Sequence, residues 1–165
     1  MAAVRCLAAV LLFGGCLPGP WDWSGGMAGS YNGTAVIETE ETQTGSTTRT
    51  EQKVTSADVV DVISGETAMS SWVTVGPCGA VPATWSGASL NGEDGYECED
   101  VTTYSTGGNY TQTSKFDSFV VRSTGPGAIE IEGEWTLEGK SSSTPSTVTT
   151  RIVKYSFTGT RIAGN

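Results

Sequence analysis

Histidine is absent from the 165 residues of the sequence. It is the commonest general base near neutral pH, so its absence excludes Ser-His-Asp and Cys-His catalysis as well as the HExxH metal site. Basic residues are also few, since nine Lys and Arg stand against 18 Asp and Glu and give a formal net charge of −9. A chain of this charge repels phosphate backbones, and we therefore expect no nucleic-acid partner.

Charged residues make up only 16% of the chain, and long apolar runs are missing. The longest run, residues 6–13, is far shorter than the roughly 20 residues that a transmembrane helix needs. In their place are 22 glycines and many serines and threonines, a composition typical of turn-rich β structure rather than of amphipathic helices. The length favours one domain, which we expect to be all-β and to span residues 30–165.

The N-terminus has the pattern of an export signal, in which Arg5 precedes the apolar run and the run ends in Gly-Gly-Cys. Residues 13–16, Phe-Gly-Gly-Cys, resemble the lipobox of bacterial lipoprotein signal peptides. The resemblance implies that residues 1–15 are removed and that the sulfur of Cys16 carries the lipid. Several acyl chains, palmitate among them, would hold the protein permanently in the membrane of the cell envelope.

The residue after the cysteine is Leu17, whereas enteric lipoproteins retained in the inner membrane have Asp there. The resemblance therefore implies the outer membrane. The alternative is an ordinary secretory signal in which Cys16 is incidental. Residues 16–29 are rich in Pro and Gly, and we interpret them as a tether between the membrane and the domain.

The remaining cysteines agree with export. Cys6 would leave with the signal and Cys16 would carry the lipid, so Cys78 and Cys98 form the one pair left in the mature chain. We expect a disulfide that closes a loop of about 21 residues and stabilises the fold by about 3 kcal/mol. The alternatives are two free buried thiols or a two-ligand metal site, which no histidine or further cysteine is available to complete.

The chain after residue 29 reads as strand-like segments separated by turn residues, without helical periodicity. We predict eight strands, at residues 30–43, 47–63, 66–76, 80–90, 96–106, 109–124, 128–139 and 147–162. Short connections favour an antiparallel meander, and a meander of this size must hide its edges. We expect a closed, lipocalin-like β-barrel, with a β-sandwich as the alternative.

The two ends of the predicted domain carry a further resemblance. Gly29-Ser30-Tyr31 and Arg161 resemble the Gly-x-Trp and terminal Arg pair that closes the barrel in lipocalin-like calycin folds, with Tyr31 in place of the Trp. The resemblance implies that these residues meet at one end of a barrel. The alternative is that they are ordinary strand-end residues.

Alternation along the last strands predicts which side chains point inward, because successive residues of a strand face opposite sides. The predicted inward residues that would line a ligand site are Phe119, Val121, Ile129, Ile131, Trp135, Leu137, Val153, Tyr155 and Phe157, with Trp72 and Trp85 as further inner-face candidates. In residues 93–100 five carboxylates occur without EF-hand spacing, which favours a solvated loop over a calcium site. We therefore predict no metal site, no catalytic residues and no cofactor.

These observations predict a lipid-anchored lipoprotein of the cell envelope. Its domain would be a non-catalytic binding or carrier module for a small, partly apolar ligand, because an eight-stranded barrel has room for one. One alternative is a structural or surface-interaction lipoprotein with a filled core and an unknown protein partner. A less favoured alternative is a glycoside hydrolase, which needs two facing carboxylates.

Overall fold

The structure is a computed structural model and describes residues 26–103, 109–142 and 148–162. The predicted signal peptide, Cys16 and most of the predicted tether lie outside the described residues. Within these residues the fold consists of nine strands and a one-turn 3₁₀ helix, Gly76–Cys78. In the described ranges no helix is both long enough and apolar enough to cross a membrane. The strands are β1 (Gly29–Gln43), β2 (Arg49–Ser64), β3 (Ser70–Thr74), β4 (Ala80–Ser86), β5 (Ser89–Gly92), β6 (Glu97–Thr103), β7 (Asn109–Gly125), β8 (Ala128–Ser141) and β9 (Val148–Arg161).

All strand pairings are antiparallel, and most join strands that are consecutive in the chain. β9 also pairs with β1, and β5 pairs with the second half of β7. Hydrogen bonding therefore closes into a ring through eight strands, while β6 pairs with the first half of β7 beside the ring. The predicted all-β antiparallel meander is confirmed.

The predicted strand at residues 80–90 is wrong in one respect, because it consists of two strands. β4 and β5 are separated by a turn in which Ser86 pairs with Ser89 and Gly87 has φ 61°. That left-handed conformation is one that glycine adopts without steric cost. The chain therefore reverses at Gly87, and the part of the chain that the structure describes has nine strands rather than eight.

Strand length differs between the two sides of the ring. β1, β2, β7, β8 and β9 have 14 to 17 residues, whereas β3, β4 and β5 have five, seven and four. The long strands therefore extend beyond the short ones at the end where β1 finishes and β9 begins. We call this the open end and the opposite one, where β1 begins and β2 finishes, the closed end.

The interior of the ring is filled by alternate residues of the strands, as the alternation predicts. The apolar side chains with the least exposure are Tyr31, Ala35, Val60, Val73, Val81, Leu90, Phe116, Val121, Ile129, Ile131 and Phe157. A β-bulge between Phe116 and Ser118 lets Phe116 and Phe119 both point inward although they are three residues apart. Their rings meet edge to face at 6.0 Å and close the interior below the open end.

At the closed end, the residues compared with the calycin pair are in contact. The guanidinium of Arg161 lies 5.6 Å from the centre of the Tyr31 ring and donates hydrogen bonds to the Tyr31 hydroxyl and to the Gly26 carbonyl. Tyr31 donates to the carbonyl of buried Met27. A Cβ on Gly29 would lie 3.0 Å from Arg161 Nε. The first described residues are thereby fixed against this end.

The predicted disulfide is confirmed. Cys78 and Cys98 are bonded, with their Cα atoms 5.7 Å apart, a normal separation for a disulfide. Cys78 ends the 3₁₀ helix between β3 and β4, and Cys98 lies on β6. The bond therefore joins the short side of the ring to the strand that lies beside it.

Candidate functional site

A groove of about 500 Å³ runs along the inner face of the long strands at the open end. It exists because β3, β4 and β5 are too short to cover that face. The residues that line it are Ile37, Thr39, Glu41, Gln52, Asp58, Gly76, Pro77, Trp135, Leu137, Arg151, Val153 and Tyr155. We refer to this set as the groove.

The middle of the groove is apolar. Trp135 forms part of its floor and packs between the rings of Phe116 and Tyr155, with centroid distances of 5.3 and 5.6 Å. Val153 is the Cα partner of Trp135 on the neighbouring strand, and Leu137 follows Trp135 on the same face of β8. The rings are held on several sides, so they form a preformed surface for an apolar part of a ligand.

A polar contact lies towards each end of the groove. Tyr155 donates a hydrogen bond of 2.9 Å to Asp58 Oδ2, and the guanidinium of Arg151 pairs with Glu41 at 2.5 Å. Tyr155 and Arg151 lie four residues apart on one face of β9, a separation of about 13 Å. The groove can therefore hold an elongated molecule that has an apolar middle and polar groups towards its ends.

The wall opposite the long strands is the turn at Gly76 and Pro77. Gly76 has φ +66°, and a Cβ there would lie 3.0 Å from the Phe116 ring and 3.2 Å from the Trp135 ring. Only glycine combines this conformation with so close an approach. Because Cys78 follows directly and is bonded to Cys98, the turn is fixed both by packing and by a covalent bond.

The nine residues predicted to line a ligand site fall into two groups. Trp135, Leu137, Val153 and Tyr155 line the groove. The other five are in the packed core, with exposures of 2% or less, and are Phe119, Val121, Ile129, Ile131 and Phe157. The two further tryptophans also differ, because Trp85 is buried whereas Trp72 is 40% exposed on the outer face.

Sequence reasoning missed the polar residues of the groove. Glu41 and Arg151 have the same strand parity as Ile37 and Val153, so alternation alone places them on the inner face. Charged residues at strand positions that alternation turns inward could therefore have indicated a polar part of the site. The contributions of Asp58 and the Gly76 turn depend on long-range pairing, which no local pattern shows.

Tyr155 is the groove residue whose pKa is clearly shifted from its ordinary value. Burial and the hydrogen bond to negatively charged Asp58 hold its pKa well above the ordinary value. The unfolded chain, where tyrosine has a pKa of about 10, then loses this proton first. The free energy of unfolding is expected to be unaffected below pH 10 and to fall above it, by up to about 1.4 kcal/mol per pH unit.

Chemical denaturation between pH 8 and 11 measures this slope. Tyr155→Phe removes the ionising hydroxyl and is expected to show a shallower decrease than the wild type above pH 10. The other tyrosines remain in both proteins, so the difference between the two slopes belongs to Tyr155. Equal slopes would contradict the raised pKa.

The fold and the groove together define an antiparallel all-β domain with one closed end and one open, ligand-sized groove. Within the described residues no three metal-binding side chains come together. Comparison of the sequence with models of known protein families and with curated proteins finds no match.

Proposed function

We propose that this protein is a lipid-anchored lipoprotein of the cell envelope whose domain, a lipocalin-like β-barrel, binds a small, partly apolar ligand in the groove. The observation that carries the ligand proposal is the apolar floor of Trp135, Leu137 and Val153 between two polar pairs. A few placed polar groups on a mostly apolar surface are typical of small-molecule sites. The ligand lies at the open end, because the interior below is filled.

The polar pairs indicate what the ligand carries. Arg151 compensates Glu41, whereas Asp58 is paired only with the neutral hydroxyl of Tyr155 among side chains in the described residues. The groove therefore has one uncompensated carboxylate, at its inner end. A hydroxyl or a positively charged group is the favoured partner there, because a second anion would be repelled.

The spacing of the carboxylates favours binding over hydrolysis. Asp58 contacts Tyr155 and Glu41 contacts Arg151, and these two partners lie four residues apart on β9, or about 13 Å along the strand. The paired carboxylates of a glycosidase lie about 5 to 10 Å apart. This separation supports a non-catalytic module rather than a carboxylate-based hydrolase.

The chain enters the domain at the closed end, which supports an orientation with that end towards the membrane. Residue 26 is held at the closed end by Arg161, and Ile37, the first groove residue on β1, lies eight residues or about 26 Å beyond Gly29. A lipid on Cys16 would thus hold the closed end towards the membrane. The groove would then face away from the membrane, where a ligand can reach it.

Native mass spectrometry tests the ligand. The domain from residue 26 onward, released from its own envelope extract, is expected to carry a discrete added mass that denaturation removes. Leu137→Ala, which shortens a half-buried groove residue, is expected to lose most of this mass because apolar contact is lost. Ile152→Ala is the matched control, since Ile152 is exposed on the outer face of β9.

Two results would contradict the ligand proposal. One is the absence of added mass in the wild-type domain, which would favour the structural or surface-interaction lipoprotein. The other is an equal loss of added mass in Leu137→Ala and Ile152→Ala, which would place the ligand outside the groove.

Detergent phase partitioning tests the anchor. The full-length protein expressed in bacteria is expected to enter the detergent phase, and Cys16→Ala is expected to move to the aqueous phase because no thiol is left to carry lipid. Cys6→Ala is the control, because Cys6 would be removed with the signal. Unchanged partitioning of Cys16→Ala would exclude a lipid on this residue.

A further inference from the structure

Three exposed apolar residues belong to β2, to β3 and to the turn that joins these strands at the closed end. Ile63 and Trp72 are Cα partners on β2 and β3, and Met69 is in the turn between these strands. Their exposures are 47%, 40% and 52%. The carbonyl of Met69 accepts a hydrogen bond of 2.9 Å from the Trp85 backbone N–H, so the turn is fixed. We call Ile63, Met69 and Trp72 the apolar patch.

The apolar patch lies at the end where the chain enters the fold. Val62, next to Ile63, pairs with Gly29, and Gly26 is fixed at this end by Arg161. Ile162, 39% exposed, is at the same level, because its N–H donates to the Ser30 carbonyl. Exposed apolar groups and the tether therefore share one end, opposite the groove.

We propose that the apolar patch is a membrane-contacting surface that rests in the headgroup region of the bilayer holding the lipid anchor. The proposal rests on the proposed anchor at Cys16. Gly26 follows Cys16 by ten positions, a span of at most about 35 Å. A domain held so close to a bilayer has a high effective concentration at its surface, so weak contacts are made repeatedly.

The chemistry of the patch fits the membrane–water interface. Tryptophan prefers this region because its ring is apolar while its N–H is polar, and Ile63 and Met69 add apolar area beside it. The charged residues nearest the patch on β2 and in the turn after it are negative, with Asp61 on the outer face between Val59 and Ile63 and Glu66 in the turn. Zwitterionic lipids are therefore preferred to anionic lipids, which these carboxylates repel.

Lipid-borne quenching of tryptophan tests this contact on the full-length lipidated protein. Trp21 and Trp23 are replaced by Phe, which leaves exposed Trp72 with Trp85 and Trp135, both buried. In vesicles of phosphatidylcholine with brominated acyl chains, most of the Trp72 emission is expected to be quenched. Trp72→Phe defines the Trp72 contribution. Substituting phosphatidylglycerol for part of the lipid is expected to weaken the quenching.

A matched control places the reporter elsewhere. The control protein carries Trp72→Phe and Val101→Trp in addition to the Phe replacements of Trp21 and Trp23. Val101 lies on β6 and is 50% exposed, and the emission of the new tryptophan is expected to remain unquenched. Equal quenching at both positions would overturn the proposal, because contact would not be specific to the patch.

Failure of the anchor and failure of the patch give different results. If the wild-type protein does not float with vesicles, the anchor at Cys16 is absent. If it floats and Trp72 is unquenched, the anchor stands and the membrane-contacting surface is overturned. Two other results without lipid quenching would also overturn the membrane-contacting surface. A Trp72 emission shift on addition of cell-wall oligosaccharide would favour a sugar site, and a shift on raising the protein concentration would favour contact with a second copy of the chain.

Discussion

Phe116→Ala is expected to lower the free energy of unfolding by about 3 to 5 kcal/mol, the range for removing a buried aromatic ring. Phe116 has no exposed surface, and its ring contacts Phe119 and Trp135 as well as the turn at Gly76. These neighbours lie on β7, on the adjacent β8 and in the turn after β3, so closing the cavity requires the turn to move towards the two strands. Chemical denaturation of the purified protein measures the loss.

The substitution is also expected to affect the groove. Trp135 rests on Phe116, so its emission in the native state should change when that support is removed. Phe116→Leu keeps most of the volume and is expected to cost less than Phe116→Ala. Ile152→Ala, on the outer face, is expected to stay within about 0.5 kcal/mol of the wild type. A Phe116→Ala protein as stable as Ile152→Ala would show that the ring is not part of the core.

Much of the fold follows from local sequence pattern. In β8 the apolar residues Ile129, Ile131 and Trp135 alternate with glutamates, and this pattern predicts the observed burial because strand side chains alternate between faces. The disulfide follows from counting cysteines. The contact between Tyr31 and Arg161 joins residues 130 positions apart, which only the family resemblance made foreseeable.

Other features depend on interactions that no local pattern contains. Phe116 and Phe119 both point inward although they are three residues apart, which strict alternation does not allow. The bulge at Asp117 makes this possible, and the bulge depends on the pairing of β7 with β8. Trp72 is an aromatic residue in a strand, for which an inner position is the usual expectation. The register of β3 on β2 places it outside, beside Ile63.

The groove could be predicted from the sequence only in part. Its apolar floor continues the alternation of the core, so four of its residues were among those named from sequence. Whether such residues are covered depends on the lengths of β3, β4 and β5, which are set by turns on the other side of the ring. The open face is therefore a property of strand length, and composition does not report it.

Replacing Cys78 and Cys98 together by serine is expected to lower the free energy of unfolding by about 3 kcal/mol, because the unfolded chain regains the entropy of a loop whose ends are 20 positions apart. Reduction of the wild-type protein is expected to have a similar effect. Denaturation with and without reductant measures both, and the double variant, which has no bond in the domain to reduce, is expected to be insensitive.

The same substitution separates two ways of holding the groove wall. The turn at Gly76 is fixed by the bond that follows it and by packing against Phe116 and Trp135. If the bond dominates, the double variant is expected to show altered Trp135 emission and weaker ligand retention in the native state, before any unfolding. If stability falls while emission and ligand retention are unchanged, packing alone positions the turn. The disulfide then stabilises the fold without shaping the groove.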